Sequence, residues 1–133
     1  MANTVCIVLV ASLFVLGYAV QPYPGFVKGY IHRKSGETRA TVNQQLGLAA
    51  KEVKSHVTTD VQRACVNNQL GNLFNEGNAV IGLTTKRLIN LADSHSADLP
   101  SASTTDVQKA VDSEFAKVVN EWLPGKIAEL NKC

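Results

Sequence analysis

The chain has 133 residues, a formal net charge of +2 and 6% aromatic residues. A balance so near neutrality does not suit a protein whose main partner is nucleic acid, while the length suits one domain with a real core. Three cysteines are too few for a dense disulfide scaffold, and their spacing matches neither a zinc site nor a redox CxxC.

The first segment, MANTVCIVLVASLFVLGYA over residues 1–19, is apolar from Val5 to Leu16 and ends in small residues. A transmembrane helix needs about 20 apolar residues to cross a core of ~30 Å. This run is shorter, and Gly17 and Ala19 stand where a signal peptidase reads. It therefore predicts a secretory signal peptide, cleaved after Ala19 or a residue or two later. An uncleaved anchor is the rival reading, and no Lys or Arg precedes Lys28. No second long apolar run follows, so the mature chain is expected to be extracellular with no transmembrane segment.

Cys6 leaves with the leader, and an even pair, Cys65 and Cys133, meets an oxidising compartment. The simplest outcome is an internal disulfide, worth roughly 4 kcal/mol in the chain-entropy model. Cys133 is also placed to bridge to another chain.

Residues 20–39 form a basic arm rich in Gly, Pro and aromatics. Pro22, Pro24, Gly25, Gly29 and Gly36 argue against a regular element there. One reading is an extended strap that packs its rings on a helical body. A second is a contact arm for an anionic surface or a receptor, with Tyr23, Phe26, Lys28, Tyr30, Arg33 and Lys34 making the contacts. A third treats Arg33 and Lys34 as a processing site.

Residues 40–133 read as a helical bundle. Val42, Leu46, Ala49, Val53, Val57, Val61 and Ala64 recur at helical steps. A stop is expected near Gly77, with a kink near Thr58 and Thr59. A second helix carries Val80, Ile81, Leu83, Leu88, Ile89 and Leu91. A Ser/Asp/Pro linker over 93–104 leads to a third, with Val107, Val111, Phe115, Val118 and Trp122 on one face. Pro124 suits the first turn of a short final helix. The fold class is therefore all-α: three long helical segments plus a short tail helix, preceded by an irregular arm.

The string TTDVQ occurs at 58–62 and again at 104–108. In each copy the second Thr and the Gln three residues on have capping-box spacing. The linker context predicts a helix start at Thr105. The unbroken stripe through Val53 and Val57 places Thr59 inside a helix or at a hinge.

No catalytic constellation is visible. His32, His56 and His95 are far apart, and no His pairs with another ligand at metal-binding spacing. Nucleophile elbows and phosphate loops are absent, and Asp112 and Glu114 do not share a helix face. The expectation is a protein that is not an enzyme, with no cofactor and no metal. It would work by contact with an extracellular protein or receptor, as a secretory-fluid or host-defence component. The alternatives are a carrier holding a small hydrophobic ligand in the bundle interior at Val80, Leu88, Phe115 and Trp122, and a membrane-active defence protein.

Overall fold

A computed structural model describes residues 24–97 and 103–133; the leader, Tyr23 and Pro100 lie outside them. Helix α1 spans Pro24–His56 and α2 spans Asp60–Ser94. The third segment comprises α3 (Thr104–Lys117), a π-helical turn (Val118–Trp122) and α4 (Leu123–Leu130). There is no strand among the described residues.

The arm is corrected from Pro24 onward: it is the first half of a 33-residue helix. Proline is tolerated in a helix's first turn, where its missing N–H costs nothing. Glycines 25, 29 and 36 weaken the helix locally, but packing outweighs propensity. Val27 and Ile31 are buried and begin the same stripe that continues through Val42, Leu46 and Ala50. Between them the stripe is occupied by buried Ser35 and Thr38, which hide its continuity in the sequence. Both are satisfied: Thr38 Oγ1 donates to the Lys34 carbonyl at 2.7 Å, and the Ser35 and Thr85 hydroxyls lie 2.9 Å apart.

Helix α2 also corrects the stop expected near Gly77, since it runs through Gly71, Gly77 and Gly82. Gly77 is buried, and a Cβ there would stand 3.2 Å from Val42 Cγ1 and 3.3 Å from Trp122 Cη2. All three segments meet at this position. Gly71 has open space around it.

Both TTDVQ copies lie at helix starts, and the first also marks the kink expected near Thr58 and Thr59, between α1 and α2. Thr59 is a true N-cap, with extended backbone (φ −112°, ψ 152°) and a complete capping box with Gln62. The Gln62 N–H donates to Thr59 Oγ1 at 3.2 Å, and Gln62 Oε1 accepts from the N–H groups of Thr59 and Thr58 at 3.3 and 3.2 Å. Asp60 adds a negative charge to the positive first turn. In the second copy the cap moves two residues upstream, to Ser103, whose hydroxyl accepts from the Asp106 N–H. Thr105 is already inside α3.

The third segment bends rather than breaks before Pro124. The Leu123 N–H reaches the Val118 carbonyl, five residues back, giving the wider π turn. A proline ring clashes with the carbonyl four residues before it in a regular helix. The π turn directly before Pro124 loosens the ladder at that point.

Adjacent pairs give the topology. Lys28 faces Asp93, Arg39 faces Asn78, and Val42 lies at Gly77, so α1 and α2 are antiparallel. Arg87 meets Glu114, Lys126 meets Glu76, and Cys65 bonds Cys133, so the third segment runs antiparallel to α2. Each face closes on one core containing Ile31, Leu46, Leu73, Ile81, Leu88, Phe115, Leu123 and Leu130.

Thr59→Ala and Ser103→Ala are each expected to lower unfolding free energy by about 1 kcal/mol, whereas Thr105→Ala changes it by only a few tenths. Urea denaturation monitored by helicity measures all three. In the same assay Gly71→Ala gains about 0.5–1 kcal/mol from helix propensity. Gly77→Ala lacks that gain, and Gly77→Val loses about 1–3 kcal/mol to overpacking.

Candidate functional site

The six residues proposed as a contact arm do not act as one unit. Tyr23 lies outside the described residues. Phe26 and Tyr30 pack against the core. Lys28 pairs with Asp93 of α2. Lys34 sits between two carboxylates, 3.3 Å from Glu37 Oε2 and 3.6 Å from Asp112 Oδ1. Arg33 is the exposed member, its guanidinium carbon 5.1 Å from the centroid of the Tyr30 ring and its Nε 3.7 Å from Glu37.

Tyr30 joins α1 to α3 by donating its hydroxyl to Asp112 Oδ1 at 2.6 Å. Burial and the adjoining carboxylate both oppose formation of a phenolate, and the Tyr30 hydroxyl is pushed up to about 12 from 10.0. Beside this pair lies an open groove of about 370 Å³ between α1 and α3. Its charged walls are Lys34, Glu37 and Asp112, and Phe115, Ala116 and Val119 contribute apolar lining. Lys34, together with Arg33 on Glu37, already balances the two acids.

A second groove, of about 440 Å³, runs between α1 and α2 on the other side of α1. His32, Arg39 and Lys86 line it, Gly36 and Gly82 open it, and among the described residues no carboxylate lines it. Arg39 and Lys86 are brought together, with His32 beside them, only by the register of two helices, with about fifty residues of chain between them. Periodicity on either helix alone cannot reveal such a set. The signal available in the sequence was the pair of small residues, Gly36 and Gly82, on polar helix faces.

The residues proposed to line an apolar ligand pocket divide between core and rim. Leu88 and Phe115 are core residues, 1% and 2% exposed. Val80 and Trp122 are half-buried and pack against that core, with the Trp122 ring over Gly77. Cys65 and Cys133 form a disulfide within the chain, with Cα atoms 5.8 Å apart.

Glu114 is a buried carboxylate held from two sides. Arg87 Nη2 donates to it at 2.7 Å and Lys117 Nζ at 2.8 Å. The triad ties α2 to α3 and neutralises a charge that could not be buried alone. His56 ends α1 at one end of the bundle, and His95 caps α2 at the other. Among the described residues no group of three or more His, Cys, Asp or Glu side chains could hold a metal ion, and no helix is long and apolar enough to cross a membrane.

No protein-family model matches this chain, and no curated protein or solved structure matches it.

The Tyr30 hydroxyl gives a testable pH dependence. The folded state keeps its proton up to about 12, whereas the unfolded phenol loses it near 10.0. Its contribution to stability is therefore complete below the lower value and lost as pH rises towards the upper one. Denaturation of wild type and Tyr30→Phe should show the wild type losing more stability across that window. Parallel curves for the two proteins would remove the effect.

Proposed function

We propose that this is a secreted, non-enzymatic helical protein that acts by contact with another extracellular macromolecule, as a secretory-fluid or host-defence component. The Cys65–Cys133 disulfide supports the compartment, because such bonds persist in oxidising surroundings. The leader-like residues 1–19 point the same way.

The observation that carries the contact reading is the outward side of α1. His32, Arg33 and Arg39 are exposed there within two helical turns. Most of the other charged and aromatic groups of the segment are engaged with neighbouring helices. The contact element is thus a rigid helix, whose side chains lose less freedom on binding than those of a loose arm. Deletion of residues 21–39 would remove Val27 and Ile31 from the core, so point replacement is the cleaner test.

The carrier alternative has a small hydrophobic ligand entering beside Val80 and Trp122. It requires the core to part at Leu88 and Phe115, and a ligand-dependent change in Trp122 fluorescence would mark it.

A diazirine amino acid at position 33 tests the contact reading, because its carbene inserts into protein and carbohydrate alike. The labelled protein is secreted, checked by intact mass for leader removal and the disulfide, and irradiated in its native fluid. The expected result is an adduct from position 33 that unlabelled protein suppresses, with none from position 109 on α3. Equal labelling from both positions, or no suppressible adduct, would sink the reading.

A further inference from the structure

We propose that the groove between α1 and α2 binds the sulfate-ester groups of an acidic polysaccharide, with Arg39, Lys86 and His32 as the binding residues. This rests on the contact reading above and names the partner's chemistry.

Arg39 is the first ground. The chain has four arginines. Three meet carboxylates: Arg33 with Glu37 at 3.7 Å, Arg63 with Asp60 at 2.8 Å, and Arg87 with Glu114 at 2.7 Å. Arg39 is held instead by a neutral amide, its Nε donating to Asn78 Oδ1 at 2.9 Å. The side chain is positioned, and no carboxylate among the described residues pairs with its charge. A guanidinium has five N–H donors in a fixed fork, so further donors remain for an oxyanion.

The surroundings agree. Lys86 is exposed on the opposite wall and His32 lies further along α1. Glu37 is turned to another side of the helix, where Arg33 and Lys34 engage it. Asp93, beyond the end of the groove, is engaged by Lys28. A Cβ at Gly36 or Gly82 would meet nothing within 4 Å, so the space between the cations is open. The Ser35 and Thr85 hydroxyls lie together between the helices.

The composition of the groove selects among anionic partners. Ile89 is the one large apolar side chain among the described residues that line it. Protein partners are usually anchored by aromatic or other large side chains in pockets, and membrane-seeking helices by a broad apolar face. Neither has a foothold here, so affinity must come from charge. His32 and Arg39 are two turns apart, about 10.5 Å along the helix, with Lys86 across from them. That spread suits several fixed anionic groups on one extended chain better than one free ion.

The test uses the full secreted protein and a fully sulfated heparin-type hexasaccharide, titrated by calorimetry at low and physiological salt. The expected result is binding that weakens as salt rises. Arg39→Gln with Lys86→Gln should reduce affinity about ten-fold, as loss of two exposed charge contacts implies. Gly36→Leu alters no charge and improves helix propensity, yet fills the groove, and should reduce affinity about as much. Lys51→Gln with Lys109→Gln makes the same charge change elsewhere and should leave binding within about two-fold.

Equal losses in both double variants would show diffuse charge attraction and overturn the proposal. So would unchanged binding in Gly36→Leu, or binding of an acidic peptide or anionic vesicles in place of the hexasaccharide. If position 33 still gives its suppressible adduct while the hexasaccharide does not bind, the contact reading stands and this inference alone falls.

Discussion

The fold depends on one close approach. At Gly77 the middle of α2 comes within reach of Val42 from α1 and Trp122 from the π turn. A methyl group there would already crowd Val42 and Trp122, and a larger side chain would push one of the three segments outward. With that contact made, the axial register of α1 against α2 is set, and the remaining pairs follow from a constant rise per residue. Ser35 meets Thr85, Arg39 meets Asn78, and Lys28 meets Asp93. The basic groove is a by-product of this register. A slip of one turn, about 5.4 Å, would move Lys86 along the groove relative to His32 and Arg39 and put Asn78 out of reach of Arg39.

Two further ties keep the third segment in place, and they differ in kind. The disulfide closes a sequence separation of 68 residues near one end of the bundle. In the chain-entropy account that is worth roughly 4 kcal/mol, mostly by restricting the unfolded chain. The Arg87–Glu114–Lys117 triad acts nearer the other end and is specific rather than strong. Burying Glu114 is unfavourable unless both cations are present, so the triad penalises wrong rotations of α3 more than it stabilises the right one. Arg87 Nε is buried without a hydrogen-bond partner, so the arrangement carries a small residual cost.

Much of this was legible in the sequence. The all-α class, the number of long segments, the apolar face from Val107 to Val118 and the Cys65–Cys133 pair are readable because each depends on local period or simple pairing. The first helix was not legible upstream of residue 40. Glycines 29 and 36 suggest a break, and Ser35 and Thr38 occupy the positions where an apolar stripe would continue. Those two polar groups are acceptable inside because Thr85 and the Lys34 carbonyl satisfy them, and that is a tertiary fact. The caps misled for a related reason. Identical letters at 58–62 and 104–108 offer the same local chemistry, but Ser103 competes upstream of the second copy and wins. The hinge at Val57 ends the first stripe although its residues continue the period.

Candidate site residues were the least legible part, because a binding surface is defined by what is left uncompensated. Charge counted along residues 20–39 is strongly positive, yet Lys28 and Lys34 spend that charge on Asp93, Glu37 and Asp112. Arg39 looked no different from them in sequence. It differs only because the residue facing it on α2 is Asn78 and not an acid. A single carboxylate at position 78 would close the pair and leave the groove with much less attraction for an anion. The functional weight of this surface therefore lies in the neutrality of one partner residue. It also shows how a chain with an overall charge of +2 can hold Arg39 and Lys86 on one groove with no facing carboxylate among the described residues.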